Sequence, residues 1–288
     1  VNPQIRKQYV VIVHFGSPAT TRAALAALDQ STSPADNIVI IDHAQQPLKA
    51  LSRTIIRPPG NRGYAGGINC GLGALLSLGA TESDIVTVMN NDLIVAESAL
   101  AEVAAWWRQH PGDQLVGAAI DENAQQITTL SSVNLFTGRA QIGHRPHRFT
   151  LPYLHGAFLS APYQVFLRLQ GLPEQYFMYW EDVLFSRRLT QQGIPLRVNP
   201  RVHVRHQTTS ASAAAPDKVY YLVRNGALFL AHETPQPWRA YWRLANTLRW
   251  VYHRIRGRSA VVTLALRDAR DGITGPRPAS PAGGPTSV

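Results

Sequence analysis

Cysteine is almost absent from this 288-residue chain: Cys70 is the only one. No internal disulfide can form, so the fold rests on packing and hydrogen bonds, as suits a reducing compartment. No metal-ligand spacing surrounds that thiol. Long apolar runs are missing too. The longest uncharged ones, such as Ala260 to Leu266, fall far short of the roughly 20 residues that span a bilayer. No signal-peptide pattern precedes the first strand-like segment, and no internal repeat is present. Charged residues amount to only 16% and are unevenly signed, 28 Lys and Arg against 18 Asp and Glu. A disulfide scaffold, a membrane-spanning bundle and a repeat array are thereby excluded, and a cytoplasmic protein is predicted. What is present, 45% hydrophobic residues, suffices for one large α/β domain or two small ones.

The positive charge is concentrated at one end. From Arg239 onward nine arginines face Asp268 and Asp271, a net +7 of the chain's +10. The body is therefore near neutral and the tail basic. A basic tail suggests an anionic partner: lipid headgroups, nucleic acid or an acidic protein. Nucleic acid fits least, because the arginines join no recognised nucleic-acid module.

Along the chain, Tyr9 to Phe15 is a continuous apolar run, as expected of a central parallel strand covered on both faces. Gly16-Ser17-Pro18 breaks it, and Thr20 or Thr21 can cap an Ala/Leu-rich helix to about Leu28. Asn37 to Asp42 is a second buried strand ending in a carboxylate, and Arg53 to Arg57 a shorter third. Strand, helix, strand at this spacing predicts a right-handed βαβ unit in a parallel sheet. Next comes Gly60-Asn61-Arg62-Gly63-Tyr64-Ala65-Gly66-Gly67-Ile68-Asn69, with a helix expected from about Ile68 to Leu78. Its spacing matches neither a Walker loop nor the dinucleotide fingerprint. A helix N-terminus behind a glycine loop still offers N–H groups to an anion; a plain glycine-rich connection is the alternative.

Ile85 to Met89 reads as a short buried strand running straight into Asn90-Asn91-Asp92. Alone, that triplet reads as a turn. At a strand's carboxyl end it could also hold a hard cation, leaving coordination sites open to substrate phosphates. Beyond a helix at Ala96–Arg108 and a strand at Leu115–Ile120, residues 121–150 read as irregular or hairpin structure. There His144 and His147, beside Arg145 and Arg148, form a solvated basic loop rather than a metal site. Leu154 to Leu159, including His155, reads as a strand. Phe177-Met178-Tyr179-Trp180-Glu181-Asp182 then leads into a helix ended by Gly193. The acidic pair could simply favour the helix dipole; in an aromatic-walled cleft, Asp182 could instead be a general base. Residues 195–206 read as short extended pieces reaching His206. Tyr220 to Asn225 lies in a helix that runs to about His232. Trp238 to Ile255 is a basic, Trp-rich amphipathic helix with Tyr241, Ala245, Leu248, Tyr252 and Ile255 on one face. That face suits a membrane interface, the protein body or a second subunit, and the sequence leaves these open. From Gly272 the composition reads as a disordered tail.

Together these motifs resemble the family-2 glycosyltransferases of GT-A fold, especially the bacterial rhamnosyltransferase and galactofuranosyltransferase branch. The resemblance covers roughly residues 8–230. It rests on the order and spacing of the first strand, Asp42, Asn61 to Asn69, Asn90-Asn91-Asp92, Tyr179-Trp180-Glu181-Asp182, His206 and Tyr221-x-x-Arg224-Asn225. It implies an α/β, Rossmann-like, mostly parallel sheet flanked by helices: a glycosyltransferase domain over 1–232, with a nucleotide-sugar half to about 120 and an acceptor half beyond. A basic helical extension would occupy 233–271 and the tail 272–288. The implied nucleotide-sugar contacts are His14, Phe15, Asp42, Asn61, Gly63, Gly66, Gly67, Asn69, Asn90, Asn91 and Arg224. Asp92 and His206 would hold Mg2+ or Mn2+, Asp182 would be the catalytic base, and Tyr179, Trp180, Glu181 and His155 would meet the acceptor. The implied activity is inverting transfer of a sugar, rhamnose-like, from a dTDP-, UDP- or GDP-linked donor to a cell-envelope glycan, lipid-linked or other glycosylated acceptor. A homodimer and a peripheral place on the inner face of the plasma membrane are further expectations. The chain departs from the family's usual residues at Phe15-Gly16, at His43 and at Leu184. The competing expectation is a catalytically silent nucleotide-sugar or glycan-binding module.

Overall fold

A computed structural model of the chain describes residues 6–49, 52–122, 125–128, 130–143, 146–207, 216–257 and 259–277. Its axis is β1 (Gln8–His14), in which every residue is buried. Parallel neighbours enclose it on both sides. β2 (Asn37–Asp42) pairs Val10 with Ile38, and β4 (Ile85–Asn90) pairs Val10 with Thr87. Alternation along β1 divides its side chains between two cores. Val11 and Val13 join Ile68, Leu72 and Leu75 of α2 (Gly63–Ser77). Val10 and Ile12 join Leu25 and Leu28 of α1 (Pro18–Asp29), and Leu100 and Val103 of α3 (Ala99–Gln109). Each such fully buried aliphatic side chain contributes roughly 1.5–3 kcal/mol, so a run with no polar face is what the central position requires. α1 is capped by Ser17, whose hydroxyl accepts from Ala19 N–H, with Pro18 opening the first turn, rather than by Thr20 or Thr21.

The main sheet runs β3 (Thr54–Ile56), β2, β1, β4, β11 (Phe158–Pro162), β6 (Leu115–Glu122), β12 (Leu196–His206), β5 (Leu93–Val95), with β7 (Gln125–Thr128) beside β6. The first four strands are mutually parallel. β11 then enters antiparallel between β4 and β6. β12 is one strand rather than the predicted short pieces. Its register shifts between Asn199 and His203, where Pro200 has no N–H to give the ladder. The 121–150 stretch, expected to be irregular or hairpin, supplies β7 and an antiparallel sheet of β10 (Thr150–Leu154), β8 (Leu130–Asn134) and β9 (Ala140–Gln141). His144 and Arg145 lie outside the described residues.

Helices α5 (Glu181–Gln191), α6 (Pro216–His232), α7 (Trp238–Ile255) and α8 (Ala260–Arg270) close over that second sheet. Val133, Tyr153, Trp180, Val183, Phe229, Trp242 and Leu266 share one core. The indole of Trp242 donates to Leu135 O at 2.9 Å. The C-terminal extension is thus packed on α6 and the second sheet. Residues 272–277 correct the expected tail: Gly275 N–H donates to Gln175 O, and Arg277 pairs with Asp217 at 2.8 Å. Residues 278–288 lie outside the described residues. No helix among the described residues is long and apolar enough to cross a membrane.

Candidate active site

Beyond the carboxyl ends of β1 and β4 lies a cleft of about 150 Å3, where open α/β sheets place ligands. Phe15, Asn61, Gly63, Asn90, Asn91 and Asp92 line it, together with Val13, His43, Tyr64 and Met178. Asn91 is held by donating to Phe15 O (3.0 Å) and to the Thr21 hydroxyl (2.9 Å), which ties the β4 end to the turn after β1. A larger groove of about 190 Å3, between Trp106, His110 and Arg201, contains none of the expected site residues.

Several expected donor contacts are not brought to the cleft. His14 is fully buried with Nδ1 2.6 Å from Thr21 Oγ1. Burial lowers its pKa, a push only partly countered by Asp42, so it sits neutral inside the fold. Asp42 accepts from Ala44 N–H, Leu48 N–H and Arg57, each at 3.0 Å, and is 2% exposed. It staples the chain after β2. Gly66 and Gly67 lie within α2, because that helix starts at Gly63 rather than at Ile68. A Cβ on Gly67 would come within 2.7 Å of Val13, and one on Gly71 within 2.3 Å of Val11. These glycines let α2 lie close on β1, the helix–strand packing use of glycine. Asn69 spends its amide on Leu172 and Glu174. Gly63 has φ +73°, and a Cβ there would stand 2.0 Å from Phe177 O. It is the close approach that joins the cleft to the acidic segment.

Asp92 and His206, 114 residues apart, meet: Nε2 lies 3.1 Å from Oδ1. The antiparallel pairing of β5 with β12 causes this, since His206 stands opposite Leu93. Asp92 is 34% exposed and His206 12%, at the mouth of the cleft. A carboxylate oxygen and an imidazole nitrogen converging on one point fit a divalent cation, and the mixed donor set favours Mn2+ over oxygen-seeking Mg2+. Among the described residues no third His, Cys, Asp or Glu completes a cluster.

The acidic segment is a strained loop. Phe177, Tyr179 and Trp180 have φ of +64°, +62° and +71°, conformations that cost bulky residues of order 1–3 kcal/mol each. Asn225 of α6 offsets that cost. Its Nδ2 lies 2.8, 2.7 and 3.0 Å from the carbonyls of Tyr176, Met178 and Tyr179. Arg224, expected at the nucleotide sugar, is instead fully buried, bonding Asn225 and the carbonyls of Tyr176 and Gly275. Trp180, expected at the acceptor, is 8% exposed and packs on Phe229, beneath Gly226, where a Cβ would strike its ring. Tyr179 stays half-buried; burial raises its pKa, and the charges of Glu181 and Asp92 add to the rise. His155 is not in a strand: the chain turns at 155–157 between β10 and β11, and Nδ1 of His155 accepts from Ala157 N–H.

Asp182 is held by two backbone donors, Gly156 N–H on Oδ2 and Val183 N–H on Oδ1, both at 2.8 Å. Each oxygen retains a lone pair for a further proton or hydrogen bond. Its neighbour Glu181 is 7% exposed, with Oε2 unpartnered. Burial, reinforced by Asp182, pushes the Glu181 carboxyl up to about 8, so at neutral pH it is mostly protonated.

Three contributors, two of them within the family motifs, have no role of their own in the sequence reading. Tyr64 lines the cleft and donates to Gly156 O at 3.0 Å; burial raises its pKa well above 10, and Glu181, Asp182 and Asp92 all push the same way. His43 lines the cleft with Nε2 unpartnered, its pKa lowered chiefly by burial. Its place just past a strand end was the available signal. Asn225 stood in the Tyr221-x-x-Arg224-Asn225 motif, but its role was hidden because its partners are backbone carbonyls.

A mainly parallel sheet flanked by helices, with a cleft beyond its strand ends and an acidic helix start nearby, defines a GT-A-type fold. The chain belongs to the family described as Glycosyl transferase family 2, whose sequence profile matches residues 9–167, more than half of it. Solved structures agree in fold. One is the mannosyltransferase PcManGT from Pyrobaculum calidifontis in complex with GDP-Man and Mn2+, at TM-score 0.57 and 15% identity, covering 93% of this chain and 81% of that one. Another is S. aureus TarS, at TM-score 0.54 and 14% identity over 82% of this chain; this chain spans only 41% of TarS. TarS 1-349 in complex with UDP-GlcNAc matches at TM-score 0.53 and 13% identity, covering 82% of this chain and 69% of that one. Curated protein sequences show no significant match.

Proposed function

We propose that the chain is an inverting glycosyltransferase that moves a sugar, rhamnose-like, from a nucleotide diphosphate donor to a hydroxyl of a glycan or lipid-linked acceptor. The observation that carries this reading is the bridge between the two halves. Tyr64 lines the donor cleft and bonds Gly156 O, while Gly156 N–H holds Asp182. This link supports Asp182 as the base, held beside the place where the sugar would sit.

Phe15 offers a partly exposed ring for stacking on the base, and neutral His43 an unused ring nitrogen for the base or ribose. Asp92 and His206 would hold a divalent ion against the diphosphate; when bound, it supplies Lewis-acid stabilisation of the departing charge. The acceptor oxygen attacks the anomeric carbon from the face opposite the diphosphate. Asp182 takes the hydroxyl proton on a free lone pair as the new bond forms. The bond from the anomeric carbon to the diphosphate oxygen breaks, and its electron pair leaves with the diphosphate. Protonated Glu181 leaves the negative charge of the pair on Asp182. PcManGT, described with GDP-Man and Mn2+, supports the donor class and the ion.

Released nucleotide, read over a panel of dTDP-rhamnose, UDP-galactofuranose, UDP-hexoses and GDP-mannose with and without Mn2+, tests the reading. One donor should turn over in a metal-dependent way, and Asp182→Asn should retain donor binding but lose turnover. Undiminished turnover by that variant, or a product of retained anomeric configuration, overturns the mechanism.

A further inference from the structure

Helix α7 turns its most apolar side away from the protein. At about 100° per residue, Tyr241, Leu244, Leu248, Val251, Tyr252 and Ile255 fall on one stripe. They are 49%, 62%, 59%, 36%, 44% and 77% exposed. The side that packs on the body is the opposite one, carrying Trp242 and Asn246. A helix lying on a folded core normally directs its apolar stripe inward, so this outward stripe marks a contact surface. It continues onto the turn after β8. Phe136, 53% exposed, has its ring 4.5 Å from Trp238, and Trp238 lies 6.0 Å from Tyr241.

The charge around the stripe selects the occupant. α7 contains no Asp or Glu, and Arg243, Arg249, Arg254 and the following Arg256 are exposed. None of these four forms an ion pair with a carboxylate among the described residues. At the other end of the patch Arg148 stacks on Phe149, whose ring lies 5.0 Å from Phe136. A second copy docking stripe to stripe would bring two such arginine sets together with no acid on either helix to offset them. An anionic lipid surface supplies both the apolar depth and the phosphates.

We propose that α7 and the Phe136 turn form a docking face for anionic lipid bilayers, lying in the headgroup region without crossing it. The assignment is independent of the catalytic reading. The full chain is sedimented with phosphatidylcholine–phosphatidylglycerol vesicles and with phosphatidylcholine alone. Binding to the mixed vesicles should exceed binding to neutral ones by about tenfold and weaken with salt. Leu244→Glu/Leu248→Glu should abolish it with an unchanged circular dichroism spectrum. Arg254→Gln/Arg256→Gln, at exposed sites where the guanidinium groups lie over the rings of Trp250 and Tyr252, should weaken binding to the anionic vesicles only, with an unchanged circular dichroism spectrum. The proposal is overturned by absent binding, by equal binding to both vesicles, or by a dimer that Leu244→Glu/Leu248→Glu dissociates.

Discussion

Replacing Glu181 with glutamine removes a proton-binding site that the fold has made unusually tight. The carboxyl is buried with Oε2 unpartnered, and its pKa stands at about 8 against an ordinary 4.5. Between those values the folded protein keeps a proton that the unfolded chain releases. Stability must therefore fall as pH rises from about 4.5 to about 8, level off above, and be unaffected by this group below about 4.5. At 1.36 kcal/mol per pH unit, the loss between pH 5 and pH 8.5 comes to about 4 kcal/mol. Glutamine cannot ionise. It leaves an amide poorly satisfied at a cost of about 1–3 kcal/mol, but that cost does not depend on pH. Urea denaturation of both proteins across pH 5 to 8.5 should show the variant gaining about 4 kcal/mol on the wild type as pH rises. Because Asp182 supplies the second push on this carboxyl, the gain should shrink in an Asp182→Asn background. Parallel pH profiles for the wild type and Glu181→Gln would refute the buried, protonated state.

Three further outcomes are expected. Asn225→Ala strips the donor shared by three carbonyls in a strained loop, and should cost about 2–3 kcal/mol in urea denaturation while lowering turnover more than donor affinity. Gly63→Ala places a methyl 2.0 Å from Phe177 O at positive φ; a midpoint lowered by several degrees in thermal melts checks it, and an unchanged midpoint contradicts the packing. His43→Ala should raise the donor KM about tenfold with kcat nearly unchanged, as for a contact made equally in ground and transition states.

The parallel strands were legible because an all-apolar run has no other stable place than a doubly covered sheet. The meeting of Asp92 with His206 follows a related rule, because the β5–β12 pairing sets His206 opposite Leu93, next to Asp92. The rule that strand ends project into the cleft misplaced His14 and Asp42. Alternation gives the cleft to Val13 and Phe15 and turns His14 inward, while Asp42 bonds the chain that follows it. The glycine run was read as a loop because glycine opposes helix; close approach of α2 to β1 overrode that propensity. Arg224 and Asn225 look like ligand-binding groups in sequence. Only the folded chain shows that their ligand is the backbone of residues 176–179. The outward stripe on α7 was legible as amphipathic, but its direction depends on which side Trp242 anchors.

The matched family profile ends at residue 167, whereas His206 arrives at the end of β12, laid between β6 and β5. During synthesis the ribosome releases β1 to β4, and Asp92 after them, well before the histidine partner exists. Only insertion of that late strand brings the two together. If Asp92 and His206 hold the proposed ion, a nascent chain halted before β12 would carry half of that site, and metal affinity would report that the last strand has seated.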